Sequence, residues 1–114
     1  MESEFVYKIC SKSQWLASKQ NKKFIGTKKD IEDGCIHFSN KNQIKRTLDK
    51  YFSKEKDLIL LKIETLKLDS LVWEQASDGD VFPHLYSGLD TLSVCNKYDI
   101  ILNEDGSYTL PPVY

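Results

Sequence analysis

The chain has 114 residues, 40% of them hydrophobic and 29% charged, and its 16 basic side chains nearly balance its 17 acidic ones. This length fits a single domain over residues 1–114, and the composition is typical of globular rather than disordered chains. The charge balance excludes the global basic field of a dedicated nucleic-acid-binding protein. Lysines concentrated in the first half form either a solvated loop or a locally basic face.

The cysteines and the N-terminus indicate a cellular compartment. Cys10, Cys35 and Cys95 are odd in number and widely spaced, and none belongs to a pair that resembles a metal site. We therefore expect reduced thiols and a cytoplasmic location. The acidic segment Met1–Glu4 leads straight into a strand, which predicts no signal peptide. No apolar run approaches the roughly 20 residues of a membrane span, so no membrane partner is expected.

The first half of the chain predicts two strands and two helices. Aromatic and β-branched residues from Phe5 to Cys10 favour a strand, and Ser11 with Gln14 forms a capping-box pattern that opens a short helix. Lys19 to Thr27 is typical of a loop. The Asp33-Gly34 turn precedes a strand, Cys35–Ser39, and Asn40 with Gln43 caps a helix. That helix carries one apolar face, formed by Ile44, Leu48, Tyr51 and Phe52.

The second half is richer in strands. Residues 58–63 are apolar on both faces until Lys62, which predicts an interior strand. In Phe82–Tyr86 the proline favours an edge, a bulge or a strand start. Further strands are predicted in order at Leu71–Glu74, Leu92–Cys95, Tyr98–Leu102 and Tyr108–Leu110, with a loop at Ala76–Asp80. We therefore predict an α+β domain, a compact mixed or split β-sheet with two or three short helices.

His37 is the first candidate for chemistry. Strand alternation puts Cys35, His37 and Ser39 on one face and Ile36 and Phe38 on the other. A histidine and a serine beside a helix N-terminus suit a hydroxyl-rich or anionic ligand. The alternative is a core histidine that a backbone carbonyl or a carboxylate satisfies.

Two further segments carry candidate side chains. Trp73 and Glu74 pair an aromatic ring with a carboxylate that could act as a general base or stabilise a developing cation, although a strand glutamate is usually only solvated. Phe82, His84 and Tyr86 share one strand face and could stack a base or ring, or else close the core as an aromatic cluster.

Motifs for metals, phosphate loops and nucleophiles do not occur. A zinc site needs three or four convergent ligands, and the two histidines lie far apart in sequence without a HExxH helix, so no metal is expected. The sequence also contains no GxxxxGK[ST], GxGxxG or Gly-x-Ser-x-Gly run.

Taken in order, the segments resemble one bacterial family. The shared series is Tyr7–Ile9, Trp15 with Ala17, Asp33–Ser39, Gln43, Leu60–Ile63, Trp73-Glu74 and Phe82–Tyr86. It is similar to domain-of-unknown-function family 952, whose pattern runs roughly DGFIHxS, then E, then FPHLYG. The resemblance covers about Tyr7 to Val94. Two departures are Cys35 in place of the usual phenylalanine and Ser87-Gly88 in place of Gly-Pro.

The resemblance implies a fold similar to that of NAD-dependent ADP-ribosyltransferases, with a cleft between the halves of a split sheet. By that analogy His37 and Ser39 would hold a ribose or phosphate, and Trp73 or Tyr86 would stack a nicotinamide or base. Glu74 would be the catalytic carboxylate, with His84 beside it, although the order of these residues does not match the His-Tyr-Glu series of such enzymes. Fold alone does not fix function.

Three hypotheses follow. The first is a small enzyme, a transferase or hydrolase of ADP-ribosyl type, acting on NAD, ADP-ribose or a related nucleotide as substrate. The second is a non-catalytic module that binds a small molecule or nucleotide. The third makes both histidine motifs purely structural. The sequence identifies no resident cofactor and gives no oligomeric state.

Overall fold

A computed structural model describes residues 4–76 and 79–111. Residues 1–3 of the acidic N-terminal segment therefore lie outside the described residues, as do two positions of the predicted loop Ala76–Asp80. The elements in chain order are β1 (Phe5–Ser11), α1 (Lys12–Asn21), β2 (Lys23–Phe24), α2 (Lys28–Asp33), β3 (Ile36–His37), α3 (Ile44–Tyr51), β4 (Leu58–Glu64), β5 (Leu71–Gln75), β6 (Val81–Leu85), β7 (Leu89–Asp90), β8 (Val94–Leu102) and β9 (Tyr108–Thr109). Single 3-10 turns occupy Lys41–Gln43, Thr65–Lys67 and Thr91–Ser93.

The strands form three antiparallel sheets. The first has the order β1-β4-β8-β9, the second pairs β2 with β7, and the third has the order β3-β6-β5. This arrangement confirms the α+β prediction of short helices on a divided sheet. It also confirms the interior position of β4, which lies between β1 and β8 and is apolar on both faces.

Two apolar clusters hold the sheets together. One lies between the first and third sheets and includes Val6, Ile36, Phe38, Leu61 and Leu85. The other lies on the opposite face of the first sheet, where Ile44 and Leu48 of α3 pack against β1, β4 and β8. The predicted capping residues of these helices also form: Ser11 begins α1 and Asn40 begins the turn before α3, each with a complete capping box.

Two local predictions need correction, and one helix was not predicted. The segment Lys19–Thr27 is not all loop, because it contains the end of α1 and the strand β2. The unpredicted helix α2 follows it, and Gly34 ends that helix with φ 78°. The segment predicted as two strands, Leu92–Cys95 and Tyr98–Leu102, is a 3-10 turn followed by the single strand β8.

The proline of Phe82–Tyr86 lies in a central strand. β6 has β3 on one side and β5 on the other, so Pro83 is neither at an edge nor at a strand start. Its carbonyl accepts a hydrogen bond from the amide of Phe38 at 2.9 Å, but a proline has no N–H to return. The paired register of β3 with β6 accordingly stops at His37 and His84.

Among the residues that the structure describes, none of the helices has the length and apolar character required to cross a bilayer, and α1 is the longest at 10 residues.

Candidate functional site

An open cavity of about 400 Å³ lies between β1, β3, β6, α2 and α3. Its walls combine three kinds of side chain: basic groups, aromatic rings and hydroxyls. The main contributors are Lys28, Lys29, Arg46, Lys50, Tyr7, Tyr51, Phe52, Phe82, Ser39, Thr47, His37 and His84.

Asp30 is the most heavily hydrogen-bonded side chain beside the cavity, although it is only 2% exposed. Its Oδ1 accepts hydrogen bonds from the backbone N–H of His37 at 3.1 Å and from the His37 ring Nδ1 at 2.6 Å. Its Oδ2 contacts Lys8 Nζ at 2.5 Å and accepts from the amide of Thr27 at 2.9 Å. Lys8 also donates to the carbonyl oxygen of His37 at 2.8 Å. One carboxylate therefore fixes β1, β3 and α2 relative to each other.

The pKa values of Asp30 and Lys8 both shift, and their surroundings explain the direction of each shift. Burial acts to raise the pKa of the Asp30 carboxyl, but the hydrogen bond from His37 and the charge of Lys8 outweigh it and hold that pKa well below 3.8. Burial lowers the pKa of the Lys8 ammonium, and the charge of Asp30 opposes that effect. Asp30 is thus an ionised acceptor, and the imidazole Nδ1 of His37 must be the donor in their contact.

The two histidines meet across the third sheet. His37 and His84 are partners in the β3–β6 register, and their ring centroids lie 5.1 Å apart in an edge-on arrangement. His84 Nδ1 donates to the carbonyl oxygen of Phe82 at 2.8 Å. His37 Nε2 points the other way from Asp30, toward Asp33 Oδ2 at 3.2 Å and Cys35 Sγ at 3.9 Å. Both rings thus use Nδ1 as a donor to an oxygen atom, and Nε2 of His37 faces Asp33 and Cys35.

Cys35 borders the same pair of histidines. It lies two residues before His37, so alternation directs both side chains to one face of the strand, as the sequence predicted. Burial raises the pKa of the Cys35 thiol, and the carboxylates of Asp33, Asp30 and Glu74 raise it further. A hydrogen bond with Tyr86 acts in the opposite direction.

Glu74 lies on the same face of the third sheet as His84 and next to it. Its Oε1 is 3.5 Å from His84 Nδ1 and accepts a hydrogen bond from the hydroxyl of Tyr86. That hydrogen bond, together with desolvation and the carboxylate charge, raises the pKa of Tyr86 to about 12. Glu74 is 41% exposed and does not line the cavity.

The structure therefore divides the predicted site residues. His37, Ser39 and His84 line the cavity together. Glu74 and Tyr86 form a hydrogen-bonded pair next to His84 but outside the cavity wall. Trp73 faces the other side of β5 and packs against the apolar cluster, because neighbouring strand residues point to opposite faces. This arrangement gives no support to a stacking role for Trp73.

Ser39 has a local role that the sequence did not indicate. Its backbone exchanges two hydrogen bonds with Tyr7, and its hydroxyl lies 2.9 Å from that of Thr47 on α3. The amides at the neighbouring helix start are hydrogen-bonded within the segment itself. The amide of Asn42 donates to Asn40 Oδ1, and the amide of Asn40 donates to Gln43 Oε1. The amides of Asn40 and Asn42 are therefore not free to bind the anionic ligand that the sequence predicted at this helix start.

Sequence reasoning missed three charged partners of His37. Lys8, Asp30 and Asp33 were not among the candidates, although all three contact His37. A signal existed for Asp30, since Thr27 followed three residues later by an acidic residue is a capping-box pattern, and the structure has that box. Nothing in the local pattern indicates that the same carboxylate also reaches Lys8.

The sequence predicted no metal site because the two histidines lie far apart along the chain, but the fold brings them together. Cys35, His37 and His84 each offer one donor atom, and these atoms all lie within 4.8 Å of one another. The long separation of the histidines in sequence disappears because β3 and β6 are paired in register at these two residues.

Comparisons with known proteins agree with this fold. The chain is similar to protein CC0527 from Caulobacter crescentus, whose X-ray crystal structure is 37% identical with a TM-score of 0.87 over 92% of this chain and 93% of that one. The solution NMR structure of CC0527 is also 37% identical, with a TM-score of 0.81 over 91% and 90% of the two chains. No curated protein matches. Residues 9–97 match the family described as "Protein of unknown function (DUF952)", and the chain belongs to that family.

Proposed function

We propose that this protein binds a nucleotide, of the NAD or ADP-ribose kind, in the cavity lined by His37, Ser39 and His84. The observation that carries the proposal is a cavity whose wall combines cations with aromatic rings, the two features that a phosphorylated nucleoside requires. Its volume of about 400 Å³ falls within the range of roughly 300–1,000 Å³ typical of small-molecule sites.

The charge on the cavity wall favours an anion. Lys8 and Asp30 neutralise each other, which leaves Glu55 as the remaining acidic lining residue. Against it stand four basic residues of α2 and α3, namely Lys28, Lys29, Arg46 and Lys50. Lys29 and Arg46 also contact Asp33 and Asp80, but the side chains of both cations remain about half exposed and accessible to a phosphate.

Aromatic rings stand next to these cations. The Nζ atoms of Lys29 and Lys50 lie 5.5 and 5.2 Å from the centroid of the Tyr51 ring, which is 48% exposed. The guanidinium of Arg46 lies 5.6 Å from the centroid of Phe82. A base could stack on either ring while its phosphates contact the neighbouring cation.

The fold supports the same ligand class. The family resemblance implies a split sheet similar to that of NAD-dependent ADP-ribosyltransferases, and such a cleft accommodates a dinucleotide. This support is an analogy between folds, so the cavity chemistry carries the argument.

The test is an NMR titration of the ¹⁵N-labelled chain with NAD, ADP-ribose and AMP. We expect shift changes at His37, Ser39 and His84 and at residues of α3. Lys50→Glu should weaken the binding about tenfold or more, because it replaces an attraction to phosphate with a repulsion.

Lys97→Glu is the matched control, since Lys97 is an exposed residue of β8 away from the cavity. It makes the same change in net charge and should leave the affinity unaltered. Spectra that do not respond to millimolar ligand, or equal weakening by both charge reversals, would refute the proposal.

One observation favours a catalytic version, a transferase or hydrolase of ADP-ribosyl type. His84 lines the cavity and has the Glu74 carboxylate 3.5 Å behind its Nδ1. His84 would transfer the proton and Glu74 would position its ring, which differs from the direct catalytic role that the sequence suggested.

The catalytic version is tested by measuring the release of nicotinamide from NAD. Glu74→Gln should lower the rate and shift its pH profile while leaving nucleotide affinity unchanged. Binding without product in the unaltered chain would leave the protein as a non-catalytic binding module.

A further inference from the structure

We infer that Cys35, His37 and His84 form a binding site for a divalent transition-metal ion, with Zn²⁺ as the best-suited probe. A thiolate and two imidazoles make a ligand set that zinc prefers over hard cations such as Mg²⁺ or Ca²⁺. The site shares His37 and His84 with the cavity wall, but the inference does not depend on nucleotide binding, because it rests on the convergence of three donor atoms and not on the basic side chains.

The fold brings the three donors together by ordinary strand geometry. Cys35 and His37 are two residues apart and share a face, and His84 is the residue directly opposite His37 on β6. Side chains at such opposite positions have Cβ atoms about 4.5–5.5 Å apart. The paired strands β3 and β6 therefore hold the two histidines, and Cys35 lies directly before β3, in the short connection that follows α2.

Both imidazoles are already oriented as metal ligands. His37 Nδ1 donates to Asp30 Oδ1 at 2.6 Å, and His84 Nδ1 donates to the Phe82 carbonyl at 2.8 Å. Each ring therefore has a proton on Nδ1, which makes Nε2 the nitrogen that can bind a metal ion. Histidine ligands of metals typically show this pattern, in which a carboxylate or a carbonyl fixes the tautomer.

The distances are close to those of a tetrahedral site. Zinc bonds of about 2.1 Å to nitrogen and 2.3 Å to sulfur place the donors roughly 3.4–3.8 Å apart. Cys35 Sγ and His37 Nε2 are 3.9 Å apart, and the three donors lie within 4.8 Å of one another. A small movement of His84 or His37 would complete the geometry, and the 29% exposure of the His37 side chain leaves room for it.

The neighbouring carboxylates favour a cation at this point. Asp33 Oδ2 lies 3.2 Å from His37 Nε2. A carboxylate and a nitrogen lone pair repel each other, so their contact needs a proton or a metal ion between them. Asp33 thus places a negative charge beside the three converging donors, without being one of them. Glu74, on the far side of His84, adds a second negative charge near the site.

The competing explanation is a proton in place of the metal. His37 would then carry protons on both nitrogens and bridge Asp30 and Asp33 as a purely structural group. It would account for the contact with Asp33, but it gives Cys35 no role and predicts no selectivity for thiolate-binding metals.

Calorimetric titration of the tag-free, chelator-treated chain with Zn²⁺ tests the site. We expect one ion per chain with a dissociation constant in the micromolar range or below. Co²⁺ should give the near-ultraviolet thiolate-to-cobalt band and tetrahedral visible bands. In ¹⁵N spectra of the histidine rings, Zn²⁺ should shift Nε2 of both His37 and His84.

Cys35→Ser should weaken Zn²⁺ binding at least about tenfold and abolish the thiolate–cobalt band. Cys95→Ser is the matched control, because Cys95 is exposed on β8 and its thiol contacts only the carbonyl of Lys62 among the contacts described. That variant should bind both metals as the unaltered chain does.

The inference is overturned if the unaltered chain binds no stoichiometric Zn²⁺, or if Cys35→Ser retains the affinity and the cobalt spectrum. Should Cys35→Ser fail to fold, the cobalt band and the ¹⁵N shifts of the unaltered chain decide the question by themselves. A metal titration that succeeds where nucleotide titration fails would separate this site from the proposed function.

Discussion

The first and third sheets are built on different principles, although both have an apolar strand at their centre. In the first sheet, β4 is covered on both faces, and both core clusters meet on it. In the third sheet, β6 turns Leu85 to the core and His84 to a polar face with Cys35, His37 and Glu74. The difference teaches that the first sheet is stabilised by apolar burial on both faces, whereas the third has one apolar face in the core and one face of polar contacts.

The strongest of those polar contacts reaches back to the first sheet. Lys8 belongs to β1, yet its ammonium is buried against Asp30 and the His37 carbonyl. A buried ion pair adds little net stability, but removing one partner leaves an uncompensated charge. Variants at this contact and in β4 therefore separate the two modes of stabilisation.

The largest expected effect is that of Asp30→Asn. This change keeps the size of the side chain but leaves the buried Lys8 ammonium without its counterion, so we expect a loss of about 3–5 kcal/mol in the free energy of unfolding. Urea denaturation measures it.

The double variant Lys8→Met, Asp30→Asn is the control for that loss. Because it removes both charges, it should recover much of the stability. A double variant no more stable than Asp30→Asn would show that the hydrogen bonds of Asp30 to His37 and Thr27 matter more than its charge.

The next effect belongs to the apolar sheet. Leu60 is fully buried in β4, and Leu60→Ala should cost about 3 kcal/mol through lost transfer energy and the cavity left behind. Urea denaturation again measures the change, and Zn²⁺ affinity should remain that of the unaltered chain. A changed Zn²⁺ affinity would mean that the two sheets are coupled more closely than their separate clusters indicate.

The same contrast explains how much the sequence could predict. β4 and the buried positions Ile44 and Leu48 of α3 follow from local periodicity and are confirmed, whereas Tyr51 of the predicted apolar face is 48% exposed. The pairing of His37 with Ser39 on the cavity also follows from alternation within one segment. The Asp30 network does not, because its members come from β1, α2 and β3 and no local pattern relates them.

Helix α2 shows why the acidic residues were missed. It is only six residues long, its composition is charged, and its apolar periodicity is too short to recognise. Its stability comes from the Thr27 capping box and from the contacts of Asp30 to other elements. Such a helix is visible only after the tertiary structure is known.

A smaller effect concerns the thiol of Cys10, which is buried in β1 of the first sheet. Burial raises the pKa of Cys10 to about 12 from 9.0, with Asp30 adding to the shift and Lys8 opposing it. Since the folded chain holds this proton more tightly than the unfolded one, stability is complete below about pH 9 and falls as the pH rises above it. The slope approaches about 1.4 kcal/mol per pH unit.

Cys10→Ala isolates that contribution. Both chains share the other titrating groups, so the difference between their free energies of unfolding, measured from pH 7 to about pH 10.5, reports mainly the thiol. The difference should shrink as the pH rises. A constant difference would mean that the Cys10 thiol ionises as readily in the folded chain as in the unfolded one.

The smallest effect concerns the outer edge of the polar face, where Tyr86 donates to Glu74. Ionising the phenol would break this hydrogen bond and place two negative charges side by side, and both effects raise the pKa of Tyr86 to about 12 from 10.0. Glu74→Gln removes one of those charges and should return the pKa toward 10.0, as followed by ultraviolet absorbance of the tyrosinate with Tyr86→Phe to assign the signal. The urea midpoint should not move, because exposed polar pairs contribute little to stability. A large drop in that midpoint would show that the polar face extends its stabilising role to the solvent edge, and would weaken the contrast between the two sheets.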